Sequence, residues 1–580
     1  MIDSRSLNLP GNPTTGRRPD RVARTSTSAR SMGRLFTVLA LVLALGAAFA
    51  QDERAEGQSG GTLIIGQLQE PASMVLAESS TPVSAQFYTA YLINEPLLKV
   101  DHDYNVVPGL LAEVPTLDNG GISADFLTYT LRLRPDLVWE DGVPITANDI
   151  AFTWQWLIDP VNVAYATHGW EKVTSVEVGD DGLTAVVTLA DTFAFWLDEA
   201  VIGMGIAPQH AIEAAADKDA FNQHPVGNGP YKLTEWRVGD VLIFERNDNY
   251  YRGAAYLDRV VVRIIPDSNS LAAALMAGDV QIAIGLLTAN VPQLQAAPNV
   301  DVITTTWPQL ERIFFSQTVA GDPSTPHPIL TDVAVRKALI ISVDMDEILE
   351  NLYFGINPRG VNELYGTGYF NQELEPYPFD PEEARRTLEE AGWVDTDGDG
   401  IREKDGVRLS LTHSTTAGNR PRESMQAIMQ QAWADVGIEV TIENYPAPSF
   451  FGGWAGVAWG RRYEMAQFSN GIFALQPNLA DWWHSDAIPT PEKQFGNGHS
   501  GWSNARVDEL LDEHRRGVTD ARAREILNEV QRIIYDDYAM FPLFSAATIF
   551  AVNKNVHNVD PTQFGAQAGL FWDSFDWWVE

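Results

Sequence analysis

A chain of 580 residues, 45% hydrophobic and 10% aromatic, is globular over most of its length and long enough for about three structural units. Its formal charge of −37 at pH 7 repels nucleic acid and anionic lipid, which argues against both as partners. It contains no cysteine, so disulfides, thiolate metal sites, cysteine nucleophiles and a lipid-modified N-terminal cysteine are excluded.

Residues 1–31 are rich in Arg, Ser, Thr and Pro and carry no apolar period. Met32-Gly33-Arg34 then leads into an apolar run from Leu35 to Leu45, and Ala48-Phe49-Ala50 supplies a small-x-small cleavage pattern before Gln51. The run is shorter than the roughly 20 residues that a bilayer core requires, so residues 1–50 are read as an N-terminal extension with a secretory signal peptide. Met1 and Met32 both stand as candidate starts. Residues 51–60 read as a flexible polar leader. The mature chain is expected to be soluble and periplasmic, or otherwise outside the cytoplasmic membrane.

Residues 62–68 (TLIIGQL) predict a first strand, and 128–134 alternate polar and apolar residues as a half-buried strand does. Thr146 and Asp149 have capping-box spacing for a helix through 156. Strands at 173–178 and 184–189 flank Asp180-Asp181-Gly182, a hairpin signal. Further strands are expected at 241–246 and 259–265, and one long helix at 333–353. Asp380 caps the next helix, with Pro381 at its first position and Gly392 as its stop. A helix over 422–436 precedes a strand at 437–443. Residues 465–503, crowded with Phe468, Phe473, Trp482, Trp483, Phe495 and Trp502, read as a long functional loop. Helices at 507–516 and 521–537 close the series. Strands and helices interleave without a repeat, which defines an α/β chain.

Few chemical motifs stand out. Asp395-Thr396-Asp397-Gly398-Asp399-Gly400 resembles a calcium loop, but the twelfth position is Gly406, where such a loop needs a bidentate Glu. A tight acidic turn without metal is expected. There is no Gly-x-Ser-x-Gly, His-Glu-x-x-His or phosphate-cradling glycine loop, so no enzyme activity and no cofactor are expected. A secreted glycoside hydrolase is the rival from another class, because paired carboxylates abound among 77 acids.

Four blocks in order resemble the extracytoplasmic solute-binding proteins of family 5, the dipeptide- and oligopeptide-binding type. They are 129–142 (YTLRLRPDLVWEDG) with 144–150 (PITANDI), and 225–232 (PVGNGPYK) with 246–251 (RNDNYY). The third is 332–339 (DVAVRKAL) with Val343 and Asp344; the fourth is 380–384 (DPEEA), 391–393 (AGW) and 395–400 (DTDGDG). The resemblance covers nearly all of residues 61–580. It implies a two-lobed periplasmic-binding-protein fold of type II, with an additional domain and hinge strands joining the lobes. Lobe I would comprise 61–93, 226–312 and 543–580, the extra domain 94–225, and lobe II 313–542. It also implies a monomer that captures a peptide for the permease subunits of an ABC importer, with an oligosaccharide as the alternative ligand.

In peptide-binding relatives an acid in a loop of the second lobe holds the ligand's ammonium. The matching stretch here, 464–478, has no Asp after Glu464, and Asn470 stands nearest that position. Asn carries no charge, so one charge-assisted bond would be missing. Trp307, Trp454, Trp459, Phe468 and Phe473 are aromatic candidates for stacking or side-chain pockets. His413, Thr415 and Arg420 lie on a predicted strand-to-helix loop, a favoured ligand position in α/β sheets, where Arg420 suits a carboxylate. Gln69 and Glu70 end the first strand and are candidates to face the cleft.

Overall fold

The computed structural model describes residues 57–580 except 72, 75–87, 102–104, 163–168, 217–220, 223, 472–476, 495 and 561–570. The predicted signal peptide and most of the leader lie outside them. No helix among the described residues is long and apolar enough to cross a membrane.

Ten strands form one sheet. In chain order they are β1 (Thr62–Gln67), β2 (Tyr231–Arg237), β3 (Val241–Arg246), β4 (Arg259–Ile264), β5 (Ile282–Ile284), β6 (Val300–Phe315), β7 (Ser410–Ser414), β8 (Glu439–Ile442), β9 (Met465–Gly471) and β10 (Met540–Asn553). They lie side by side as β8-β7-β9-β6-β10-β5-β1-β4-β3-β2. At 16 and 14 residues, β6 and β10 are more than twice the usual strand length of about 5–6 residues. Their antiparallel ladder belongs to both lobes. Phe550, Ala551 and Val552 of β10 pair with β5 on one side, while Gln309 to Phe315 of β6 pair with β9 on the other.

The ladder breaks where it crosses. Thr306 faces Ala547 and the next pair is Leu310 with Ser545, so Trp307, Pro308 and Gln309 have only Ala546 opposite them. A second irregularity leaves Leu543 unmatched beside Pro542. Proline donates no N–H to a ladder and is confined to edges and bulges, so the sequence places both breaks. Bulges bend and twist the strands that carry them. These strands join the two lobes of an α/β protein of the type II periplasmic-binding class.

Separate cores fill the two ends. One packs Leu63, Ile65, Tyr231, Phe244, Val262, Phe550 and Trp577; the other packs Ile313, Leu339, Leu388, Leu411, Met429, Trp433 and Phe541. A third core surrounds Tyr129, Trp139, Ile150, Trp170 and Trp196. It is backed by a three-stranded antiparallel sheet in the order Thr128–Arg132, Thr184–Leu189, Val173–Val178. This third unit reaches the second lobe: the rings of Phe195 and His514 lie 4.9 Å apart, and Phe126 covers Gly517 so closely that a Cβ there would fall 2.2 Å from its ring.

The principal helices are α1 (Ala147–Ile158), α2 (Ser268–Ala277), α3 (Val333–Ile341), α4 (Met345–Tyr353), α5 (Pro381–Glu390), α6 (Arg420–Ala434), α7 (Ala505–Arg515) and α8 (Asp520–Asp536). Thr146 forms the expected capping box, and Asp380 accepts from the N–H of Glu383 at 2.8 Å. The single helix expected over 333–353 is two. Asp344 accepts from the N–H of Glu347 and starts a new helix, after Ser342 has ended the first. The region read as a long loop begins instead with a core strand, β9. Four consecutive residues, Met465 to Phe468, are buried there, so β9 lacks the alternation that marks a half-exposed strand.

Candidate functional site

Strand directions locate the site. β5 is antiparallel to β10 and therefore runs with β6, and β1 is parallel to β5. The carboxyl ends of β1 and β5, Gln67 and Ile284, thus point toward the break in the ladder. On the other side β9 is antiparallel to β6 and ends with Gly471 opposite Gln309; β7 is parallel to β9. Both lobes therefore aim the carboxyl ends of parallel strands at one junction, where α/β sheets bind ligands.

A cavity of about 370 Å³ opens there, within the range of small-molecule sites. Gln67 and Gln69 form one wall, Ile284 to Leu286 and Tyr88 another, Gln309 and Ala546 to Ile549 the hinge side. Gln67 is only 2% exposed. Its Nε2 donates to the Gln69 carbonyl at 2.7 Å, and its Oε1 has no hydrogen-bond partner among the described residues. Gln309 Nε2 donates to Ser469 Oγ at 3.1 Å, tying the cavity wall to β9. No charged side chain of the described residues lines this cavity.

The charges stand behind it. Alternation along β6 sends Glu311 and Arg312 to opposite faces of the sheet. Glu311 receives both arms of Arg422, at 2.7 and 2.9 Å, and Gln467 Nε2 at 3.0 Å. On the other face Arg312 is completely buried. It donates to Glu363 at 3.4 Å and to Asn470 Oδ1, and Glu363 also accepts from Trp483 Nε1. Burial lowers the pKa of Arg312, with Glu363 opposing that shift. Asn470 Nδ2 is buried with no hydrogen-bond partner among the described residues.

The predicted site residues scatter. Gln69 lines the cavity. Glu70 does not: its carboxylate accepts from Trp236 Nε1 at 2.8 Å and from the Gly239 N–H at 2.9 Å, so it braces the β2–β3 turn. Trp307 lies on β6 inside the break. His413 is fully buried against Trp433, and burial pushes its pKa down to about 3. Thr415 is buried and donates to the Gln467 carbonyl at 2.7 Å. Arg420 is the exposed first residue of α6, capped by Asn419. Trp459 is half-buried against Phe451 and His499. Phe468 stacks on Phe314 at 4.6 Å inside the lobe core. Phe473 lies outside the described residues. In the acidic turn, Asp395 accepts from the N–H groups of Gly398 and Gly400, while Asp395, Asp397 and Glu403 bring oxygens close enough for an ion.

Sequence reasoning missed Gln67, Gln309 and Thr548. Gln309 had one available signal: Pro308 interrupts a strand-like run and marks a bulge. Arg422 was legible as a helix residue, but its partner Glu311 is 111 positions away.

The chain is 25% identical over 506 residues to the oligopeptide-binding protein AppA of Bacillus subtilis, covering 84% of this chain and 87% of that protein. It is 25% identical over 479 residues to heme-binding protein A of Haemophilus influenzae, covering 77% and 81%. The solved structure of Bacillus subtilis AppA in complex with a nonapeptide superposes with a TM-score of 0.66 at 23% identity, covering 90% of this chain and all of that one. Residues 105–492 match the sequence profile of the bacterial extracellular solute-binding proteins, family 5. The chain belongs to that family.

Proposed function

We propose that this protein is the extracytoplasmic receptor of an ABC importer, capturing a peptide-sized solute between two closing lobes and releasing it unchanged. The observation that carries the reading is the broken ladder of β6 and β10 beside an amide-lined cavity. A ligand touching both sides of such a hinge binds the closed state better than the open one, and that difference drives closure. The lobes divide as the sequence suggests: 61–93, 226–312 and 543–580 in one, 313–542 in the other, with 94–225 as the extra domain. The protein works as a monomer outside the cytoplasmic membrane and meets the importer's transmembrane subunits in its closed form. Gln69 and Gln309 contact the ligand, with Trp307 at the hinge and Arg420 at the rim.

Peptide leads oligosaccharide because AppA is named for oligopeptide binding and was solved with a nonapeptide. Two measurements test the proposal. Native mass spectrometry of freshly purified protein is expected to show a retained peptide, and a ladder of hexose masses would replace peptide by sugar. X-ray scattering should show a smaller radius of gyration with ligand than without. Turnover of a glycan substrate, with no saturable binding of unaltered solute, would overturn the receptor reading in favour of a hydrolase.

A further inference from the structure

We infer that the ligand group seated in the hinge cavity is an uncharged hydrogen-bonding group, an amide or a hydroxyl, and that the ligand is not anchored there by an ammonium. The inference rests on the proposal that this cavity is the capture site. Its first support is Gln67. That side chain is almost wholly buried in the cavity wall, and its one atom without a partner among the described residues is a neutral acceptor, Oε1. An acceptor left dry is unfavourable, and a ligand N–H or O–H would satisfy it. Gln69, Gln309 and Thr548 complete a wall whose polar side chains, among the described residues, are all neutral.

An ammonium in a confined site needs a carboxylate to replace its water. Among the described residues, the carboxylates nearest in sequence to the cavity wall, Glu70 and Glu311, are engaged elsewhere. Glu70 holds Trp236 and Gly239, and Glu311 holds Arg422 and Gln467. A second observation concerns Asn470, which stands on β9 beside the hinge and is not one of the residues that line the cavity. Arg312, a fully buried cation, already occupies the carbonyl oxygen of Asn470. What Asn470 has to spare, among the described residues, is a donor, Nδ2. A cation brought to Asn470 would meet a donor backed by a like charge, whereas a carbonyl or hydroxyl oxygen would find a partner.

The test titrates the purified full chain calorimetrically with three probes: tetra-alanine with free termini, the same peptide N-acetylated and C-amidated, and cellotetraose. One neutral probe should bind at least tenfold more tightly than the free-terminus peptide, and which one binds separates an amide ligand from a hydroxyl ligand. Gln67→Met should weaken that neutral probe about tenfold; Gln67→Glu, which puts a carboxylate in the wall, should reverse the preference toward the free-terminus peptide. Equal or tighter binding of the free-terminus peptide by the natural protein would overturn the inference. So would the absence of neutral-probe binding, or a Gln67→Met variant that melts like the natural protein and keeps full affinity. The receptor proposal fails differently, by the absence of both retained solute and ligand-dependent scattering change.

Discussion

Arg312 and Glu363 show how much one buried pair can hold. Neither is exposed, and Glu363 supplies the only carboxylate bonded to that guanidinium among the described residues. Removing it strands a cation in the interior, a change that typically costs about 3–5 kcal/mol. Glu363→Ala is therefore expected to lower the urea midpoint sharply, while Glu363→Ala combined with Arg312→Met recovers much of the loss. Three buried histidines set the acid limit. Burial pushes His413 and His499 down to about 3 and His514 to about 4, against an ordinary value of 6.5. The unfolded chain therefore takes up protons first as pH falls below about 6.5, and stability is lost from there down to the folded pKa values. At pH 5 each histidine accounts for about 2 kcal/mol. Denaturation midpoints measured between pH 7.5 and 5 should fall, and His413→Gln should flatten that slope if it folds. Single residues were only partly legible in the sequence. Gln69 was visible as the end of a strand. Glu70 beside it misled, because its partner Trp236 is 166 positions away and no local pattern reports it.

Helix starts were the most legible elements, because a cap is a contact over two or three residues. Thr146 and Asp380 both act as read. Asp380→Ala should lower stability by about 1 kcal/mol, checked by chemical denaturation, since it frees the Glu383 N–H. The break between α3 and α4 was equally local, yet the continuous apolar pattern across Ile340, Ile341 and Val343 concealed the cap at Asp344. β9 was hidden for another reason. It is flanked by β7 and β6 and buried on both faces, so its sequence has no period to read. The break in β6 makes a dynamic prediction. The amide of Trp307, which pairs with neither neighbouring strand, should exchange with deuterium faster than those of Ile303 and Thr305, which keep regular partners on β10.

At the scale of the molecule, family blocks spaced along the chain made the two-lobed architecture legible, but not the face on which the third unit meets the second lobe. Phe195 against His514 and Phe126 over Gly517 join segments more than three hundred residues apart. Gly517 has φ +84, so alanine there would strain the backbone as well as strike the Phe126 ring. Gly517→Ala is expected to loosen this contact and enlarge the ligand-bound radius of gyration in solution scattering.

β10 has one further consequence. Its early residues Phe541 and Leu543 complete one core, and its late residues Phe550 and Val552 complete the other. A ribosome that has not yet made residue 540 therefore carries a chain in which neither half can finish. Folding of both lobes must wait for synthesis, so a polypeptide halted before Met540 should stay open to proteases across the two lobes, while the third unit, whose core draws nothing from β10, resists them.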